Sequence, residues 1–127
     1  MSNYVLDASA LLALLNAGEG ADLVAGCLPQ AVISSVNLAE VVTRLSILGM
    51  PESEVRETLT VLGLEVISFD EELAFRTGIL STYTQALGLS LGDRACLSLA
   101  LTTHATALSA DRAWKELDIG VEIRLIR

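Results

Sequence analysis

The chain has few of the residues that usually carry nucleophilic or soft-metal chemistry: two of its 127 residues are Cys and one is His. Cys27 and Cys96 form no C-x-x-C pair and have no histidine spaced for zinc, so both read as buried, reduced thiols. His104, at the polar end of an apolar helical stretch, reads as a solvent or helix C-terminal residue, not as a catalyst. Basic residues are scarce too, 8 against 16 acids for a net charge of -8. Proteins that grip nucleic acid through its phosphates are usually basic, so composition alone argues against that role. The exception is an acid cluster filled by divalent ions, which reverse the local field, with a few arginines nearby. No apolar run reaches the ~18 residues of a membrane span. The apolar segment Ala8 to Leu15 follows an acid, Asp7, and no Lys or Arg precedes Arg44, so the basic start of a signal peptide is missing. A cytoplasmic location is expected.

What is abundant is apolar surface. Hydrophobic residues make up 52% of the chain and mean hydropathy is +0.55, a surplus expected to meet another chain. The length suits one domain, residues 1–127, with a core that needs no disulfide or structural metal.

Short apolar runs alternate with helical patterns. Tyr4-Val5-Leu6 reads as a strand and Ala8 to Asn16 as a helix ending before Gly18. Ala31-Val32-Ile33 is a second strand, Ser34 and Ser35 turn the chain, and Asn37 to Leu48 is helical until Gly49 and Pro51. Glu52 to Leu62 is an amphipathic helix, Glu65 to Ser68 a strand, Asp70 to Leu87 a long helix closed by Gly88, and Leu91 to Leu101 an apolar helix. Ala105 to Leu108 and Glu122 to Ile126 complete the strands around a short helix at Ala113 to Leu117. This alternation predicts an α/β fold with a parallel sheet covered on both faces.

Four acids interrupt apolar surroundings: Asp7 in VLDASALL, Glu40 in NLAEVV, Asp93 in LSLGDRACL and Asp111 in ALSADRAW. Each has a structural explanation. Asp7 and Asp111 could be helix N-caps, and Asn37-x-x-Glu40 and Ser90-x-x-Asp93 both fit a capping box. Jointly they suggest more, because Asp7 and Asp111 each end a strand and Glu40 begins the helix after another. Ligands of open α/β sheets gather at the carboxyl ends of strands. Periodicity cannot place Asp93 beside the other three. Carboxylates crowded together repel unless a cation sits among them. An all-oxygen set favours Mg²⁺ or Mn²⁺, whose chemistry suits phosphodiester hydrolysis. Arg44, one turn after Glu40, and Arg94 and Arg112, each following an acid, read either as surface ion pairs or as contacts for phosphates. Trp114 reads as a packing residue, and Asp70, Glu71 and Glu72 as charges favouring a helix N-terminus.

The order and setting of VLDASALLALL, NLAEVVTRL, GLSLGDRACLSLA and ALSADRAWKEL resemble the four motifs of PIN-domain ribonucleases of the VapC toxin kind, across essentially the whole chain. The resemblance implies a three-layer domain with a five-stranded parallel sheet in order 3-2-1-4-5. It also implies endonuclease action on RNA with Mg²⁺ or Mn²⁺, a homodimer, and a VapB-like antitoxin that blocks the site. Asp7, Glu40, Asp93 and Asp111 fall on the family's catalytic and metal-binding acidic positions, and Ser9 and Ser109 on its small hydroxyl positions. Gly92 stands where Ala or another small residue is expected before the third acid. Asp118 and Glu116 lie near the fourth acid but match no motif. With the apolar surplus, the resemblance implies a dimer surface that includes the helices from Asn37 to Leu62.

Other classes fit less well. An aspartyl-phosphate phosphatase needs a second Asp two residues after the first, where this chain has Ser9. A receiver module needs an acidic pair ahead of its phosphorylated Asp. An inactive binding scaffold has no reason to keep all four acids.

Overall fold

The computed structural model describes residues 3–127. The elements run β1 (Tyr4–Leu6), α1 (Ala8–Leu15), α2 (Ala21–Cys27), β2 (Ala31–Ser34), α3 (Ser35–Ile47), α4 (Glu52–Val61), β3 (Glu65–Ile67), α5 (Glu71–Thr84), α6 (Leu91–Thr103), β4 (Thr106–Ser109) and β5 (Ile123–Leu125), with short 3-10 turns at Leu28–Gln30, Gln85–Leu87 and Arg112–Glu116. The five strands form one parallel sheet in the order β3-β2-β1-β4-β5, the order that the sequence resemblance implied.

Because strand side chains alternate between faces, each central strand feeds two cores. Leu6, Ile33 and Leu108 point to one side, where α1, α2, α3 and α4 supply Leu11, Val24, Val41 and Val55. Val5, Val32 and Ala107 point to the other, against Leu73 and Leu80 of α5, Cys96 and Leu97 of α6, and Trp114. A fully buried leucine such as Leu6 or Leu108 contributes roughly 1.5–3 kcal/mol. Cys27 and Cys96 are both buried free thiols, and His104 ends α6 in the left-handed conformation, as their settings in the sequence suggested.

Most element ends fall within two residues of the sequence-based expectation, and two differences bear on the fold. The segment before β2 contains α2, only seven residues between Gly20 and a 3-10 turn, too short to show a period. It is held by Val24 and Cys27 in the core and by a close approach at Gly20. That residue has φ +94°, and a Cβ there would lie 2.5 Å from the carbonyl oxygen of Ile126, which leaves glycine as the residue that fits. The second difference is the start of α3. β2 extends to Ser34, which pairs with Ile67 of β3 and caps the helix itself by accepting from the Val36 amide at 3.2 Å. Asn37 therefore lies inside the first turn and is not the cap.

Leu6 is in register with both Ile33 and Leu108. The carboxyl ends of β1, β2 and β4 are thus level, and Asp7, Ser34 and Ser109 share one edge. That edge includes the place where the strand order reverses, which is where open α/β sheets bind their ligands.

Candidate active site

Asp7 is the first residue beyond β1, and its amide donates to the Leu108 carbonyl at 3.1 Å. Its carboxylate caps α1: Oδ1 accepts from the Ala10 amide at 2.8 Å and from Ser9 Oγ at 2.7 Å. Oδ2 accepts from Ser109 Oγ at 2.5 Å. Each serine is held in turn by backbone, Ser9 Oγ accepting from the Ala110 amide at 2.9 Å and Ser109 Oγ from the Asp111 amide at 3.0 Å. The two hydroxyls lie 3.4 Å apart. With one proton each, both already given to Asp7, they have none to exchange. The result is a carboxylate fixed in plane by three donors, with lone-pair capacity left on Oδ2.

That carboxylate is only 5% exposed, and its pKa is pushed up to about 6. Burial is the main cause. The hydrogen bonds from Ser109, Ser9 and the Ala10 amide act in the opposite direction, and the negative charge of Asp93 adds to the rise. Among the described residues no positive charge offsets that of Asp7. Cys96, buried one turn into α6, locates the other acids: burial first, then the charges of Asp7, Asp93 and Glu40, push its thiol well above the usual range. Asp7 just beyond β1, Glu40 of α3 and Asp93 of α6 therefore all act on one buried thiol.

Glu40 and Asp93 belong to different helices, α3 and α6. Glu40 is exposed, and its Oε1 accepts from Asn37 Nδ2 at 2.8 Å. Asp93 completes a capping box at the start of α6, with Oδ2 accepting from the Ser90 amide and its own amide donating to Ser90 Oγ, both at 3.1 Å. The capping explanation is therefore correct for Asp93 without excluding a second use, because Oδ1 stays free of protein partners in these bonds.

Asp111 stands apart. Its side chain is exposed and caps the following 3-10 turn, accepting from the Ala113 amide at 3.0 Å. It joins the other acids only through its amide, by way of Ser109 and Asp7. Among the described residues no three His, Cys, Asp or Glu side chains are arranged to chelate one ion. The donor set nevertheless fits a hard divalent cation: every candidate ligand is an oxygen, buried Asp7 needs a counter-charge, and Glu40 and Asp93 each keep a carboxylate oxygen without a hydrogen-bond partner among the described residues.

The arginines divide. Arg44 and Arg112 are exposed. Arg94 donates from Nη1 to the Thr77 carbonyl at 2.9 Å, tying α6 to α5. Trp114 is fully buried and cannot stack on a base as it lies. Asp70 caps α5 by accepting from the Leu73 amide at 2.9 Å, a structural role for that acidic group. The residue that sequence reasoning passed over is Asn37. The spacing Asn37-x-x-Glu40 carries the signal, but a capping box and a side-chain pair share it.

A family model described as PIN domain matches residues 4–120. No curated protein sequence matches the chain. Among solved structures, a chain of the Rickettsia felis VapBC2 complex bound to a promoter DNA fragment is similar at TM-score 0.75 and 19% identity, over 96% of this chain and 97% of that one. A chain of the DNA-bound VapBC complex of Salmonella typhimurium gives TM-score 0.74 and 18% identity, over 100% of both chains. VapBC-5 of Mycobacterium tuberculosis gives 0.60 and 19%, over 100% of this chain and 99% of that one. At these identities the likeness is one of fold.

Proposed function

Because the chain belongs to the PIN-domain family, we propose that it is a metal-dependent endoribonuclease, the VapC-type toxin of a toxin-antitoxin pair. The observation that carries the proposal is Asp7: buried at the carboxyl edge of the sheet, oriented by two hydroxyls and an amide, short of a counter-charge, and close enough to Asp93 for that charge to act on it. In this reading Asp7, Glu40 and Asp93 hold Mg²⁺ or Mn²⁺, and Asp111 turns from its cap to complete the set. A divalent ion held there would supply a water of lowered pKa and positive charge for the phosphoryl oxygens. Ser9 and Ser109 keep Asp7 in plane with a lone pair free. Arg44 and Arg112, exposed near two of the acids, bind flanking phosphates of the RNA. Arg94 does so only by giving up Thr77. A divalent cofactor also accounts for an acidic chain acting on a polyanion, since the repulsion is local and the ions cancel it where the scissile bond lies.

The test is cleavage of an RNA oligonucleotide by purified protein. Chelation is expected to stop it, Mn²⁺ or Mg²⁺ to restore it, and Asp93→Asn to remove it. Hydrolysis of an aryl phosphate without RNA cleavage would favour a phosphatase, and no Mn²⁺-dependent activity at all a scaffold.

The partner proposed is a VapB-like antitoxin, supported by the VapBC complexes among the structural relatives. A groove of about 950 Å³ between α3 and α4, lined by Leu38, Val42, Met50, Val55 and Leu59, suits an apolar peptide face, and the net charge of -8 attracts a basic one.

A homodimer is proposed as well. With that groove assigned to the antitoxin, the dimer surface moves from the Asn37 to Leu62 helices to α5. There Phe75, Ile79 and Tyr83 recur every fourth residue and are 64%, 61% and 73% exposed. Sedimentation at micromolar concentration is expected to give a dimer and the Ile79→Glu, Tyr83→Glu variant a monomer. A monomeric wild type would remove the proposal.

No helix of the described residues is long and apolar enough to cross a membrane.

A further inference from the structure

Asn37 is 1% exposed, yet it belongs to neither core. Its Nδ2 spends both protons, one on Glu40 Oε1 at 2.8 Å and one on the Gly92 carbonyl at 3.0 Å, while Oδ1 has no partner. Reversing the amide would set an oxygen against two oxygens, so the orientation follows from the neighbours. The bond to Gly92 spans from α3 to α6 and brings the helix carrying Glu40 against the helix carrying Asp93. Gly92 is the second half of the same seat. A Cβ built there would lie 2.5 Å from Glu40 Cδ and inside contact distance of both carboxylate oxygens. Gly92 has ordinary helical backbone and is absent from the positive-φ glycines, so conformation does not demand glycine at this site. The space taken by the Glu40 carboxylate does.

We infer that Asn37 and Gly92 are positioning residues that seat the Glu40 carboxylate beside Asp93 and so preorganise the divalent-cation site. The inference rests on the reading of these acids as a metal site. An exposed glutamate has several rotamers of similar energy, which differ in where they place its oxygens relative to Asp93. Asn37 selects one by a short bond, and Gly92 leaves the room that this rotamer needs. Supports of this kind typically change metal affinity by about 10–100-fold.

The substitution Gly92→Ala separates this role from a structural one, because the two push different measurements. Ala is the better helix former, and the group it displaces is the flexible end of Glu40, so the full-length protein in chelator is expected to melt at or above the wild-type temperature. Its Mn²⁺ affinity, read by electron paramagnetic resonance of the free ion, is expected to fall about 10-fold or more. In a Glu40→Gln background the same substitution is expected to cost little further, since the carboxylate it acts on is gone. Asn37→Ala is expected to follow the same pattern of affinity losses. Unchanged Mn²⁺ affinity in Gly92→Ala, an equal loss in the Glu40→Gln background, or a clear fall in melting temperature overturns the inference. Wild-type protein that binds no Mn²⁺ overturns the metal-site reading itself, a result distinct from any of these.

Discussion

Asp7→Asn is expected to lower RNA cleavage by roughly 100-fold or more, the loss usual when one preorganised charge is removed from a reacting centre, and at the same time to stabilise the metal-free protein at pH 8. The second effect follows from linkage. Asp7 has a folded pKa of about 6 against 3.8 for the free side chain. A group whose folded pKa is raised contributes stability that is intact below the unfolded pKa and lost as pH rises through the folded one. Between pH 4 and 6 the wild type therefore gives up roughly 3 kcal/mol at this residue, about two pKa units. Asn keeps an oxygen for the Ala10 amide and Ser9 and places its amide toward Ser109, without the buried charge. Melting in chelator at pH 8 should be several degrees higher for Asp7→Asn, and the difference should vanish near pH 4. Mn²⁺ should reverse the order at pH 8 by stabilising the wild type alone. A less stable Asp7→Asn protein at pH 8 would mean that capping of α1, not a frustrated charge, dominates at this position.

The other large effect expected lies in the partner. If the antitoxin inhibits by placing an arginine among Asp7, Glu40 and Asp93, changing that arginine to Ala should restore RNA cleavage while the two proteins stay bound. A guanidinium makes paired, charge-assisted bonds to carboxylates that no neutral side chain matches. Its loss should weaken the complex by about 2 kcal/mol or more, roughly 30-fold in Kd. The peptide in the α3–α4 groove still supplies binding, so cleavage and association, measured together at concentrations above the weakened Kd, should separate. Full inhibition by the substituted antitoxin would point to steric occlusion.

The strand ends were the part of the site most legible in the sequence. Asp7 and Ser109 each close a short apolar run, and a parallel sheet leaves such residues side by side, so their convergence with Ser9 follows from chain topology alone. Side-chain direction was not legible. Asp111, expected to end a strand, instead lies two residues beyond β4, where the amide of Ala113 in the following turn captures its carboxylate. Arg94 follows an acid in sequence, but helical geometry carries it around α6 to the Thr77 carbonyl. Asn37 was misread because Ser34 and Asn37 are both good caps. The choice between them was made by strand pairing at Ser34, a contact between segments that local spacing does not contain. Gly92 looked like a mild departure from pattern for a similar reason: what it accommodates belongs to a helix fifty residues earlier.

Trp114 is the chain's one tryptophan and is fully buried in the cluster that also contains Cys96. The protein therefore carries its own optical reporter. Its indole emission, short in wavelength while the ring is sequestered and longer once water reaches it, follows loss of the α5–α6 side of the fold without any label. Excitation of this ring reads the melts proposed for Asp7→Asn and Gly92→Ala at low protein concentration, and an antitoxin fragment made without tryptophan would leave the signal to this chain alone.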